Sequence, residues 1–80
     1  MSLNKAIFNL VRSGYSVRFK KYSSFVIEVT VSNGWFFVCN NIDATIDIQD
    51  EDLCTLLKYM KEEVDRQSFE HKKEKHYGLY

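Results

Sequence analysis

The spacing of apolar positions along the chain changes from helical to alternating and back to helical. After Ser2, a good N-cap residue, Leu3, Ala6, Ile7, Leu10 and Val11 recur at helical spacing and predict a helix over residues 3–13. Gly14 suits the left-handed position that ends such a helix. Tyr15, Val17 and Phe19 then alternate with Ser16, Arg18 and Lys20, the pattern of a half-buried strand whose polar face is basic. Tyr22-Ser23-Ser24 forms a short connection into two β-rich runs, residues 25–32 and 35–39, joined at Asn33-Gly34. Asn-Gly is the preferred centre of a two-residue type I′ hairpin turn, which needs φ > 0 at both central positions. Such a turn sets Ser32 opposite Trp35, Val31 opposite Phe36, Thr30 opposite Phe37, Val29 opposite Val38 and Glu28 opposite Cys39. One face then carries Phe25, Ile27, Val29, Val31, Phe36 and Val38. The other carries Val26, Glu28, Thr30, Trp35, Phe37 and Cys39, which is apolar for a solvated surface.

Asn40 and Asn41 mark the end of this hairpin. In residues 42–48, Ile42, Ala44, Ile46 and Ile48 alternate with Asp43, Thr45 and Asp47, a pattern equally compatible with a short extra strand and with a structured loop. From Asp50 a second helix is predicted: Leu53, Leu56, Leu57, Met60 and Val64 form one stripe, and Asp50, Glu51 and Asp52 favour its positive N-terminal end. Beyond Val64 the stripe is occupied by Gln67, Ser68 and His71, so packing is expected to stop there, with the helix either running on as a solvated rod or fraying before Gly78. Helix, three strands, helix is an α+β order: a two-layer domain with an antiparallel meander covered on one face by both amphipathic helices. The expected division is a compact domain over residues 1–68 and a polar C-terminal tail or helix extension over 69–80.

Eighty residues with 45% hydrophobic and no proline fit a single small globular domain. No run approaches the roughly 18 apolar residues of a membrane span, and Met1-Ser2-Leu3-Asn4-Lys5 is not the apolar stretch of a secretory signal, so the expected location is the cytoplasm. Cys39 and Cys54 are neither close in sequence nor a Cys-x-x-Cys pair, and are expected to be reduced. Acidic and basic residues cancel, yet they are segregated. Residues 1–42 hold Lys5, Arg12, Arg18, Lys20 and Lys21 against Glu28, whereas residues 43–60 hold Asp43, Asp47, Asp50, Glu51 and Asp52 against Lys58. The molecule should therefore be electrically polar despite its zero net charge.

Signals for catalysis are weak. His71 and His76 are five residues apart, which does not set them on one helical face as a metal pair, and Cys39 has no base announced beside it. Gly14, Gly34 and Gly78 are scattered and make no phosphate loop. The expectation is no catalytic residue, no cofactor and no metal. The acidic residues Asp43, Asp47, Asp50, Glu51 and Asp52 do not follow the ligand spacing of an EF-hand. They read either as helix N-terminal charge or as a carboxylate edge that imitates phosphates before a basic nucleic-acid groove. For the outer sheet face three readings compete. Trp35 and Phe37 with Arg18, Lys20 and Glu28 suit a protein interface. Arg18, Lys20, Trp35 and Phe37 also resemble a platform for single-stranded nucleic acid. Alternatively, the C-terminal segment covers the patch through Phe69 or Tyr77, or the rings simply lie exposed.

The helix over residues 3–13, the entry Gly14-Tyr15-Ser16-Val17-Arg18-Phe19, the hairpin at Ser32-Asn33-Gly34, the acidic residues from Asp43 to Asp52 and the closing helix together resemble small phage-encoded host-takeover proteins, in particular anti-CRISPR inhibitors of Cas9. The likeness is one of element order and pattern over most of the chain, without a diagnostic motif. It implies a non-catalytic inhibitor, acting in the cytoplasm of the host cell, that binds a CRISPR effector or other defence nuclease, with residues 43–52 as the matching contact segment. The leading expectation is thus a protein-binding module that occludes a functional surface of its partner. A single-strand nucleic-acid binder is the alternative and a homo-oligomer of structural role, such as a homodimer, the third reading.

Overall fold

A computed structural model describes the backbone of residues 2–77 and the side chains of residues 2–72; Gly78, Leu79, Tyr80 and the side chains of Tyr77 and His76 lie outside the described residues. The order is α1 (Leu3–Arg12), β1 (Ser16–Lys21), β2 (Val26–Ser32), β3 (Phe37–Asp43) and α2 (Asp50–Tyr77). The strands form one antiparallel sheet in the order β1-β2-β3, as the α+β reading predicts.

The ends of α1 follow from local chemistry. Ser2 accepts a hydrogen bond from the Lys5 backbone N–H at 3.2 Å, satisfying one of the free donors of the first turn. At the other end Gly14 has φ +97°, the Tyr15 N–H reaches the Leu10 carbonyl at 3.0 Å and the Gly14 N–H reaches that of Val11 at 3.1 Å. These are the two bonds of a Schellman cap. The chain thereby turns directly into β1 with Tyr15 pointing at the helix layer.

The hairpin departs from the expected register by two residues. Ser32 pairs with Phe37, Val31 with Val38, Thr30 with Cys39 and Val29 with Asn40. The reason lies at Asn33, which does not take positive φ: among the described non-glycine residues none does, and Gly34 alone carries the strained position, with φ +93°. The turn therefore centres on Gly34-Trp35, with the Asn33 N–H donating to the Phe36 carbonyl at 3.1 Å. Asn33 instead uses its side chain: Oδ1 accepts from the Trp35 and Phe36 N–H groups at 2.9 Å each. A shift of two leaves every strand residue on its expected face, because the side-chain period is also two. It does remove Trp35 from the strand, and Phe25 also falls outside β2, 67% exposed.

Both helices pack on one face. The buried core is Leu10 from α1, Val29 and Val31 from β2, and Leu57, Met60 and Val64 from α2, with Leu3, Ile7, Tyr15, Val17, Phe36, Val38, Ile42 and Leu56 half-buried around it. Val29 and Val31 have no exposed surface, as befits alternate residues on the central strand. Burial decays toward the β1–β2 turn, where Ile27 is half-buried outside the core and Phe19 is 42% exposed. Residues 44–49 form no strand: β3 ends at Asp43, whose carboxylate accepts from the Thr45 N–H at 2.8 Å and hydroxyl at 2.6 Å and turns the chain toward α2.

α2 contains 28 residues, about 42 Å at 1.5 Å per residue, far longer than the sheet it covers. Packing does not end at Val64. Asn33 Nδ2 donates to Ser68 Oγ at 2.8 Å, and the His71 ring lies 5.3 Å from the Phe36 ring, tilted by 59°. The polar residues that continue the stripe meet a polar turn.

Candidate partner-binding surface

The antiparallel register places Ser16, Ser32 and Phe37 in one cross-strand row on the outer face, Arg18, Thr30 and Cys39 in the next, and Lys20, Glu28 and Asn41 in a third. No described helix covers these rows; both helices contribute to the core on the opposite face. Arg18, Lys20, Phe37, Cys39, Asn41 and Asp43 are exposed, with Phe37 at 64%. Thr30 Oγ1 and Cys39 Sγ are 3.3 Å apart. The face is thus a polar and basic plane with one large apolar group near the hairpin turn.

Trp35 does not share that plane, contrary to the expected register. It occupies the turn, 88% exposed, and borders a groove of about 650 Å³ with Asn33, Phe36, Ser68, His71 and Lys72. Trp35 and Phe37 therefore flank the same end of the sheet, one beside α2 and one on the outer face. Phe69, a candidate to fold over the outer face, is 69% exposed on α2 and belongs to the opposite layer. Among the described side chains nothing covers Phe37's face.

The acidic residues lie at the other end. Asp43 closes β3, and Asp47, Asp50 and Glu51 border a shallow polar depression with Ile48 and Gln49 where α2 begins; Asp52 follows in the first turn. All five are exposed. The hydrogen bonds from the Thr45 hydroxyl and N–H hold the Asp43 carboxyl below its ordinary range. Lys20 and Lys21 end β1 at this same end of the sheet, where Lys21 pairs with Ile27 and Ile27 with Ile42, so both charge groups that are segregated in sequence lie toward one end of the fold.

Two further features were not signalled by any motif. The first is a contact that joins the start of β1 to α2. The Tyr15 hydroxyl donates to Asp65 Oδ1, Lys61 Nζ donates to Asp65 Oδ2 at 2.8 Å, and the same Nζ lies 5.1 Å from the centre of the Tyr15 ring. The hydrogen bond to Asp65 raises both the Tyr15 and the Lys61 pKa. Partial burial pushes the Asp65 carboxyl up, but the bonds from Lys61 and Tyr15 outweigh it and hold it below its usual value. The i, i+4 spacing of Lys61 and Asp65 was visible; that Tyr15 joins them needs the tertiary fold. The second is a mostly apolar groove of about 390 Å³ between the helices, bordered by Ala6, Leu10, Cys54, Leu57, Lys58 and Lys61.

Among the described residues no three His, Cys, Asp or Glu side chains are grouped to hold a metal ion, and no helix is long and apolar enough to cross a membrane. No protein-family model, curated protein or solved structure matches the chain.

Proposed function

We propose that this chain is a non-enzymatic protein-binding module whose contact surface is the uncovered sheet face together with the hairpin turn. The observation that carries this reading is the placement of Phe37, 64% exposed on a face with no helix over it, next to Trp35, 88% exposed in the turn. Two large aromatic side chains exposed together at one end of a sheet make a candidate contact patch, and Trp is enriched among the anchors of protein interfaces. Arg18, one cross-strand row from Phe37, and Lys20 and Glu28, two rows away, supply a polar rim. The narrower proposal, an inhibitor that occludes a CRISPR effector or other defence nuclease, rests on the resemblance in element order and on the acidic group Asp43, Asp47, Asp50, Glu51 and Asp52.

The experiment is a DNA-cleavage assay with purified CRISPR nucleases, followed by surface plasmon resonance on any nuclease inhibited. Trp35→Ala and Phe37→Ala are expected to weaken binding by about 2 kcal/mol or more, mainly through faster dissociation. Replacing Asp43, Asp47 and Glu51 by Asn or Gln should mainly slow association. Full binding after both aromatic changes, in protein that circular dichroism shows to be folded, would remove the sheet-face reading. The alternative, a single-strand nucleic-acid binder, draws its cations from Arg18 and Lys20, but Trp35 lies off their face and Glu28 stands opposite Lys20. A labelled oligonucleotide that shifts at low salt, with affinity falling steeply as salt rises, would favour that alternative.

A further inference from the structure

The sheet has two free edges built in opposite ways. β1, on one side, carries Arg18, Lys20 and Lys21 within six residues, the cationic protection by which strand edges resist pairing. β3, on the other, reads Phe37-Val38-Cys39-Asn40-Asn41-Ile42-Asp43: no cation, no proline, and a single acid at its last position. The direction of its free backbone groups follows from the ladder. The Asn33–Phe36 and Phe25–Ala44 hydrogen bonds bracket β2–β3, and bonded pairs alternate, so Val38, Asn40 and Ile42 face β2 while Phe37, Cys39, Asn41 and Asp43 turn their N–H and C=O groups outward. Among the described residues no further strand pairs with them.

We propose that this edge pairs with the β3 edge of a second copy of the chain, antiparallel about a two-fold axis at Asn40. The sequence of β3 is self-complementary in that register. Asn40 meets its own copy, Cys39 meets Asn41, Val38 meets Ile42 and Phe37 meets Asp43. No like charges stand opposite each other. The half-buried Val38 and Ile42 gain apolar neighbours on the helix-covered side. The outward groups of Phe37, Cys39, Asn41 and Asp43 supply about eight inter-strand hydrogen bonds, two per bonded pair. The corresponding β1 pairing would crowd Arg18, Lys20 and Lys21 against their copies, and a β1-to-β3 pairing would leave an edge open at each end and grow without closing. A β3 two-fold closes after two copies and ends the six-stranded sheet on its two cationic strands.

The test uses the full chain. Sedimentation equilibrium should show a mass rising with concentration from 9.5 kDa toward twice that value. Asn40→Cys, made with Cys39→Ser and Cys54→Ser, should oxidise rapidly to a disulfide-linked dimer, because residues facing each other in a non-bonded antiparallel pair have Cα atoms about 4.5 Å apart. Arg18→Cys in the same background should not. A Cys39→Lys and Asn41→Lys double variant sets Lys opposite Lys twice and should raise the dimer dissociation constant at least about tenfold, with an unchanged circular dichroism spectrum. A wild-type chain that stays monomeric at millimolar concentration overturns the proposal. So does a dimer that survives the double variant, or one that cross-links through Arg18→Cys as readily as through Asn40→Cys.

Discussion

Replacing Tyr15 by Phe removes one oxygen from the contact that ties the entry of β1 to α2, and the structure sets the expected cost. The hydroxyl donates to Asp65 Oδ1, and Asp65 is also held by Lys61 at 2.8 Å. A hydrogen bond to a charged group contributes about 1.5–3 kcal/mol when shielded from water. Here the Lys61 and Asp65 side chains are 37% and 42% exposed and Lys61 remains paired in the variant, so the expected loss is nearer about 1 kcal/mol. In a chain of this length that lowers the melting temperature by about 4–8 °C. The decisive measurement is a double-mutant cycle of Tyr15→Phe and Asp65→Ala in urea, with a coupling near 1 kcal/mol at pH 7. Its pH dependence has a fixed sign. The Asp65 carboxyl is held below its ordinary value in the fold, so its contribution is complete above about pH 4 and is lost as pH falls through the lowered folded value. The Tyr15 and Lys61 values are raised, so at the alkaline end stability is present below about pH 10 and is lost as pH rises through them. A coupling under about 0.3 kcal/mol at pH 7, or one that persists undiminished at pH 2, would refute this account of the contact.

Other substitutions test the fold more broadly. Val29→Ala and Leu57→Ala empty fully packed positions and should each cost about 2–4 kcal/mol in equilibrium unfolding. Gly34→Ala meets no atom within 4 Å, so its cost isolates the backbone strain at φ +93° and should be about 1–2 kcal/mol, again by urea titration. Asn33→Ala withdraws the acceptor of the Trp35 and Phe36 N–H groups and the donor to Ser68; a loss of about 1–2 kcal/mol, larger than that of Ser68→Ala, is expected.

The order of elements was legible because each has a local cause: Ser2 and Gly14 bound α1, the alternation of Tyr15, Val17 and Phe19 makes β1, and the Leu53–Leu57–Met60–Val64 stripe makes α2. Faces were legible for the same reason that the register was not. Alternation determines which side a residue takes, whereas register depends on where the turn sits, and Asn33 can either enter a turn with positive φ or cap it with its side chain. The second option wins here, with Ser68 of α2 supplying a further bond to Asn33 that no local reading contains. The same tertiary pairing explains why α2 packs past Val64: Ser68 and His71 looked like solvent-facing interruptions of an apolar stripe, but their neighbours are Asn33 and Phe36. Of the candidate contact residues, Arg18, Lys20, Glu28 and Phe37 fall on one face as alternation requires. Trp35 leaves it with the register shift, and Asp47, Asp50, Glu51 and Asp52 gather at the far end because α2 starts there.

The two proposals bear on each other through geometry. Pairing at β3 would extend the outer face across six strands, with β3 at its centre instead of its edge. Phe37 would then lie beside Asp43 of the second copy, bringing the apolar end of one molecule against the acidic end of the other. A partner contacting Phe37 would meet the Asp43 carboxylate of the second copy, so the aromatic and acidic residues, far apart in one chain, would form one surface. This makes a distinguishing expectation: in the Cys39→Lys and Asn41→Lys monomer, neutralising Asp43 should no longer change binding at Phe37, whereas in the dimer it should. If Asp43→Asn has the same effect on association in both forms, the sheet face acts as a single-copy surface and the dimer plays no part in recognition.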